Sequence, residues 1–338
     1  MSDATVKPPE SFEYYRGTIY WNNFDIVLSE QNKLIAGDPS LYWHHYILKR
    51  YGKRKSAFVF SCGNGWVERD LFQKGIIESV TAFDILPNYI DEARSAAEKL
   101  GMKANYFIAD GNTFEEGNLR CDLVVNVGAM HHIARINRMT EILARICENG
   151  IYVGYDYTGA HRNQYGWNVW SKVVETNQAL PEKYRIKLRY PHLSTMLHTD
   201  PSEAVHSELQ METLQRHFDL LECQHLGGGV AYTLLYENKR LHAEQHTPEG
   251  RETLAFIMKT DAELLQSDPD FNLFTFFVAT PKKVGSIEPS QLNQWRLEED
   301  ERETRAVQNG GRYYAKTPLE SIYDELADAE YNLSILRG

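Results

Sequence analysis

The chain is 338 residues long, 42% hydrophobic and 25% charged, the balance of a folded globular protein with ample length for a core. Its formal net charge of -11 argues against a general nucleic-acid or anionic-membrane binder, and no run approaches the roughly 18 apolar residues of a membrane span. Met1 to Glu10 is too polar for a signal peptide, and the cysteines at 62, 121, 147 and 223 have neither zinc nor redox spacing, so a reducing cytoplasmic setting is expected.

Residues 1–55 are aromatic and mixed, with helical spacing around Leu41, Tyr46, Ile47 and Leu48 and a turn signal at Gly37-Asp38-Pro39. This segment is expected to join a substrate cap. From Ser56 a regular alternation begins. Apolar runs at Ala57–Phe60, Val80–Phe83, Tyr106–Ala109, Leu123–Val127 and Ile151–Val153 predict strands, and Val67–Lys74, Tyr89–Leu100 and Asn137–Cys147 predict the helices between them. Such alternation implies an α/β fold with parallel strands and crossover helices on both faces. Phe218–Cys223 and Phe274–Ala279 read as two further strands.

The core domain is expected over 56–282, with inserts at about 157–216 and 236–270. These are longer than a parallel sheet needs and predict a helical cap, with helices at Val169–Leu180, Ser207–Phe218 and Glu249–Leu265. Residues 283–316 are highly charged and read as a linker or solvated helix. Residues 317–338 place Leu319, Ile322, Leu326, Ala329, Leu333 and Leu336 at heptad spacing. Docking on its own domain and pairing in a short coiled coil are equal readings of that amphipathic helix. The second would give a homo-oligomer or a tether for a partner enzyme.

The first strand runs into Gly63-x-Gly65 and then a helix, a turn that lets a ligand approach the backbone closely. A dinucleotide site would want a small residue where Glu68 stands, which is bulky and anionic near the place of a pyrophosphate, and no Gly-Lys-Ser/Thr marks a P-loop. Asp84 ends the second strand about twenty residues after the glycines, where a carboxylate accepts ribose hydroxyls. Asp110-Gly111 after the third strand suits an adenine edge, and Ala129 and Met130 follow the fourth. The pattern fits an adenosine without phosphates, best met by S-adenosylmethionine.

The successive stretches FSCGNGWVERDL, VTAFDILPNYIDEAR, YFIADGNTF, CDLVVNVGAMHHI and CENGIYVGYDY, in order from Ser56 to Tyr157, resemble the motifs of class I S-adenosylmethionine-dependent methyltransferases. With IAGDPSLYWHHYILKRY, YTGAHRNQ, DPSEAVHSELQ and DFNLFTFFVATPKK, the chain resembles a bacterial branch often associated with surface-polysaccharide and glycan biosynthesis. The resemblance implies a Rossmann-like sheet of seven strands with the last antiparallel, a helical cap from the inserts and a C-terminal helical tail. It implies S-adenosyl-L-methionine as cofactor and S-adenosyl-L-homocysteine as product, held by Ser61, Cys62, Gly63, Gly65, Asp84, Ile85, Asp110, Gly111 and Asn126. The family commonly has an acidic residue where Val59 stands and glycine where Ser61 stands.

On the acceptor side, His131 and His132 are candidates for a base, since a neutral imidazole is available near neutral pH; a helix-start pair that only packs is the alternative. Asp156 is a second candidate catalytic group, against a role as helix cap or ion-pair partner of Arg162. Tyr157, Arg162 and Gln164 are expected to grip an acceptor, with a structural clamp on the insert as the competing reading. His198 and His206 lack regular ligand spacing and Asp200-Pro201-Ser202-Glu203 reads as a helix cap, so no metal is expected. Gly227 to Gly229 are expected to let backbone pass close to the cap, and Tyr14, Tyr15, Trp21 and Trp43 to be core or active-site roof. The expected acceptor is a sugar hydroxyl of a glycan or nucleotide sugar, methylation of which would cap the chain. The alternatives are a small-molecule O- or N-methyltransferase and a catalytically weak scaffold of the same fold; no nucleic-acid partner is expected.

Overall fold

A computed structural model describes residues 18–283, 285–314 and the single positions 325, 326 and 329; Tyr14, Tyr15 and nearly all of the heptad run lie outside the described residues. The strands are β1 (Arg54–Phe60), β2 (Ile77–Asp84), β3 (Lys103–Ile108), β4 (Leu123–Val127), β5 (Ile151–Tyr157), β6 (Phe218–Gly228) and β7 (Asn272–Pro281). The helices are α1 (Asp25–Ala36), α2 (Trp43–Tyr51), α3 (Trp66–Gln73), α4 (Pro87–Lys99), α5 (Ile136–Ile146), α6 (Trp167–Ala179), α7 (Leu193–Thr199), α8 (Gln210–His217), α9 (Ala231–Leu235), α10 (Lys239–Ala243), α11 (Pro248–Ser267) and α12 (Pro289–Gln308).

The seven strands form one sheet in the order β3-β2-β1-β4-β5-β7-β6. Strands β1 to β5 pair in parallel, and β7 runs antiparallel to both β5 and β6. This is the Rossmann-like sheet, last strand antiparallel, that the resemblance implies. Strand order reverses between β1 and β4, so the carboxyl ends of those strands border a crevice. The loops after β1, β2, β3 and β4 all open at that edge.

The near-continuous apolar strands follow from burial on both faces. In β1, Ala57 and Val59 join a core with α2, α3 and α4, while Phe58 and Phe60 point the other way, into a core with α5. A third core is shared by the N-terminal Trp21 and Phe24, by Val169 and Val173 of α6, and by Leu254 and Ile257 of α11. The inserts and the first described residues therefore form one cap. The segment before β1 is divided, because Trp43 and Ile47 of α2 pack on the sheet instead.

Gly227 to Gly229 wrap a buried carboxylate at the base of the cap. Asp261 of α11 accepts N–H bonds from Gly228 (2.8 Å), Val230 (2.7 Å) and Ala231 (2.9 Å), which also caps α9. A Cβ on Gly227 would lie 2.5 Å from Asp261 Oδ2, and one on Gly229 would lie 2.8 Å from the Phe271 backbone. The triple glycine is thus demanded by close packing.

The charged stretch 283–316, expected as a linker or a solvated helix, contains the largely exposed helix α12, which docks through a few polar contacts. Glu299, 2% exposed, accepts the N–H groups of Asn137 (2.6 Å) and Arg138 (3.0 Å) at the start of α5. Arg296 pairs with Glu141 of α5, and Arg135 with Asp300 (2.5 Å). The helix is held by polar contacts, and for that reason hydrophobic periodicity did not reveal its docking. Among the described residues no helix is long and apolar enough to cross a membrane.

Asp261→Ala leaves three buried N–H groups without an acceptor and is expected to cost about 3 kcal/mol or more in urea denaturation. Asp261→Asn, which keeps one oxygen, is expected to cost less; equal stability of all three proteins would contradict this role.

Candidate functional site

The turn after β1 is left-handed three times: Ser61 has φ 47°, Gly63 56° and Gly65 74°. Ser61 carries a strain of about 1 kcal/mol where the resemblance expects glycine. At Gly65 a side chain is excluded outright, since a Cβ would lie 2.7 Å from the Tyr106 hydroxyl and 3.0 Å from Ala93 Cβ. At Gly63 a Cβ would meet nothing within 4 Å, so the backbone there faces open space at the crevice. The Cys62 amide is fixed to Phe83 O at 2.9 Å, and burial holds its thiol far above the ordinary range, so that cysteine is inert.

Asp84 joins this turn to the next strand. Its Oδ2 accepts the Gly63 N–H (2.8 Å) and its Oδ1 the Leu86 N–H (2.9 Å). Burial raises its pKa against the lowering effect of those bonds. A carboxylate has about four acceptor sites, so lone pairs remain for a diol on the crevice side. Ile85 and Ile108, 49% and 53% exposed, offer apolar surface at the ends of β2 and β3. That combination of an anionic acceptor, apolar rim and bare glycine backbone fits an adenosyl group.

Asp110 Oδ1 accepts from the Asn112 amide (2.8 Å) and side chain (3.1 Å), while Asn112 Oδ1 accepts the N–H groups of Ala134 and Arg135. Gly111 lies close beneath Ile133: a Cβ would come 2.4 Å from Ile133 Cδ1 and would push that side-chain tip aside. Asn126 is consumed by the turn after β4, donating to Asp156 and accepting from Ala129 and Met130.

Glu68 corrects one step of the sequence reasoning. It is fully buried beneath the glycine turn, so no anion points at the crevice. Neither oxygen has a hydrogen-bond partner, and the Tyr106 hydroxyl and Cys62 thiol are its polar neighbours. Burial pushes its carboxyl up to about 7. Its bulk still occupies the helix–strand contact where a dinucleotide fold wants a small residue.

Opposite the glycine turn stand the two histidines. Asp156, 1% exposed, accepts His131 Nδ1–H (2.5 Å) and the Tyr157 N–H (2.7 Å) on Oδ1, and Asn126 Nδ2 and the Met130 N–H (2.8 Å each) on Oδ2. Burial opposes its charge, but His131 and these donors hold its pKa below the usual carboxylate value. Burial likewise opposes charge on His131, yet Asp156 and Glu203 outweigh it and raise the imidazole to about 9. For His132, burial and then the charge of His131 lower the pKa. Its Nδ1 lies 3.1 Å from Ser202 Oγ, which donates to Asp200 Oδ1 (2.6 Å). The Nε2 atoms of both histidines lie 3.7 Å from Glu203 Oε2.

The remaining sequence candidates turn inward. Tyr157 donates its hydroxyl to Ala160 O (3.2 Å). Arg162, 2% exposed at φ 48°, donates to Pro201 O (2.6 Å), and Gln164 donates to Arg162 O (2.8 Å) and Pro191 O (2.5 Å). Arg162 and Gln164 clamp the insert, the competing reading of that motif. Trp21 and Trp43 are core residues, packed on Phe274 and Phe276. The stretch from Asp200 is not a helix cap: turns run to His206 and α8 starts only at Gln210. Those turns bring Ser202 and Glu203 to the histidines. Sequence reasoning named both residues but assigned them to a cap; no spacing signal links positions 131, 132 and 203.

Residues 59–150 match the model of a family described as "Methyltransferase domain". No curated protein matches the chain. Among solved structures it is similar to the cyclopropane synthase MmaA2 from Mycobacterium tuberculosis, at 13% identity over 78% of this chain and 96% of that one, TM-score 0.46. It is also similar to an S-adenosylmethionine dependent methyltransferase from Mesorhizobium loti, at 14% identity over 68% and 91%, TM-score 0.42. A third is the PH0226 protein from Pyrococcus horikoshii OT3, at 12% identity over 80% and 99%, TM-score 0.42.

An unfolded glutamate loses its proton near 4.5, and folded Glu68 near 7. The folded state therefore holds one more proton between those values, and stability falls as pH rises across the window, by up to about 1.4 kcal/mol per pH unit. Glu68→Gln is expected to flatten that slope in chemical denaturation; an unchanged slope would contradict a buried, protonated carboxyl.

Proposed function

We propose that the chain is a cytoplasmic S-adenosylmethionine-dependent O-methyltransferase whose acceptor is a sugar hydroxyl or the terminal group of a glycan. The match over residues 59–150 supports methyl transfer as the chemistry. The observation that carries the cofactor reading is the Asp84 clasp: a carboxylate tied to the amides of Gly63 and Leu86, beside a glycine with open space on its crevice side. In this reading Asp84 takes the ribose hydroxyls, Ile85 packs on the base, and Asp110 and Gly111 shape the pocket around it. Ser61, Cys62, Gly63 and Gly65 supply backbone, and Asn126 holds the turn that closes the far side.

Bound S-adenosylmethionine supplies a methyl group already activated on a sulfonium. What the chain must do is align an acceptor, exclude water and allow the hydroxyl proton to leave. The acceptor-facing residues are His131, His132 and Glu203. Asp156 acts through His131, whose Nδ1 it fixes, and is a positioning residue. Arg162 and Gln164 act through the loop they clamp, which carries Ser202 and Glu203. Imidazoles and a carboxylate suit a polyhydroxyl acceptor better than a flat aromatic one, which supports the sugar over a phenol.

Calorimetry is expected to show S-adenosylmethionine and S-adenosylhomocysteine binding, weakened about 10- to 100-fold by Asp84→Asn through loss of charge-assisted bonds. No heat from either ligand would favour the scaffold reading. Mass spectrometry after incubation with nucleotide sugars, oligosaccharides, phenols and amines is expected to show one added methyl on a sugar. Methylation confined to phenols or amines would move the assignment to small-molecule metabolism.

A further inference from the structure

The hydrogen bonds around His131 and His132 fix both rings in one sense. Asp156 is an acceptor, so His131 places its proton on Nδ1. The single hydroxyl proton of Ser202 is spent on Asp200, so Ser202 Oγ accepts from His132, which therefore also carries its proton on Nδ1. The Nε2 atoms are then the ones left for a ligand, that of His131 once a metal displaces the second proton of its imidazolium, and both lie 3.7 Å from the same oxygen, Glu203 Oε2. The three donor atoms lie within 4.8 Å of one another. Histidines whose second nitrogen is tied to a carboxylate or hydroxyl are the usual arrangement behind a metal.

We propose that His131, His132 and Glu203 form a three-ligand site for a divalent transition metal at the acceptor side of the crevice. Ligand atoms on a tetrahedral zinc stand about 3.3 Å apart for bonds near 2.05 Å, so each imidazole needs to close on Glu203 by about 0.4 Å from its 3.7 Å, and the two histidine donors, within 4.8 Å of each other, by no more than about 1.5 Å. Two nitrogens and one oxygen suit zinc, manganese or iron and disfavour magnesium and calcium, which seek oxygen donors. Three protein ligands leave a fourth position for a reactant, as in catalytic zinc sites. The fourth ligand's identity, an acceptor hydroxyl held and made more acidic by the metal, rests on the methyltransferase reading; the site itself does not. The sequence expectation of no metal is replaced here because Glu203 arrives from a turn seventy residues away. A second cluster, His161, His206 and Glu208, serves as the internal control.

The test is zinc binding to the metal-stripped full chain, without cofactor or acceptor, by calorimetry with magnesium in parallel. One equivalent of zinc is expected to bind, with no magnesium heat. Glu203→Gln is expected to weaken it at least 10-fold, and Glu208→Gln to leave it unchanged. Thermal melting and S-adenosylmethionine binding of Glu203→Gln report whether that variant is folded. Cobalt added to the unaltered chain gives a second readout, visible d–d bands that zinc abolishes. Absence of zinc binding, equal binding by magnesium, or loss in Glu208→Gln with retention in Glu203→Gln would each overturn the proposal. Zinc bound through Glu203 in a chain that transfers no methyl would leave the metal site standing and remove the methyltransferase reading alone.

Discussion

The crevice depends on a single carboxylate held by two backbone amides. Asp84 sits at the end of β2 and grips Gly63 in the loop after β1 and Leu86 at the entry to α4. It thereby fixes the relative positions of two loops that the sheet alone would leave independent. Of the left-handed residues 61, 63 and 65, the two glycines take that conformation freely, and the grip on Gly63 and the packing below Gly65 hold the strained Ser61 beside them. An unpaired carboxylate at such depth would be costly, and the amides make it tolerable.

The same device recurs across the molecule. Asp156 gathers the turn after β4, Asp261 gathers the glycine run at the end of β6, and Glu299 caps α5 from α12. An acidic chain here uses buried carboxylates to satisfy main-chain N–H groups at element ends, where helix and strand ladders leave them open. Glu68 is an exception, buried with neither oxygen bonded, and it keeps its proton toward neutrality. Glu203 is another, shared between two imidazoles at the mouth of the crevice. The crevice thus has one side built from backbone, glycine and aliphatic surface, and an opposite side built from polar side chains.

Much of this was legible in the sequence, because the strands are buried on both faces and read as apolar runs, with punctuating glycines at their carboxyl ends. Asp84 and Gly63 were identifiable from spacing alone. Strand β6 was read too short: it continues to Gly228 through irregular pairing around His225 and Gly227, where glycines look like loop. Helix α12 was one of two readings of its stretch, but its docking was not legible, since Glu299 and Arg296 carry it and not an apolar stripe. Glu203 was hidden for a different reason. An Asp-Pro-Ser-Glu run is a good helix cap by local rules, and bonds to distant residues, from Arg162 to Pro201 O and from the Val205 N–H to His131 O, turn it toward the histidines.

The measurement closest to the central claim is a crystal structure with S-adenosylhomocysteine bound. The account predicts both ribose hydroxyls within hydrogen-bond distance of Asp84, the base against Ile85, and the sulfur between Gly63 and the histidine pair. A ligand bound away from Asp84, or a crevice closed by the chain's own side chains, would contradict it.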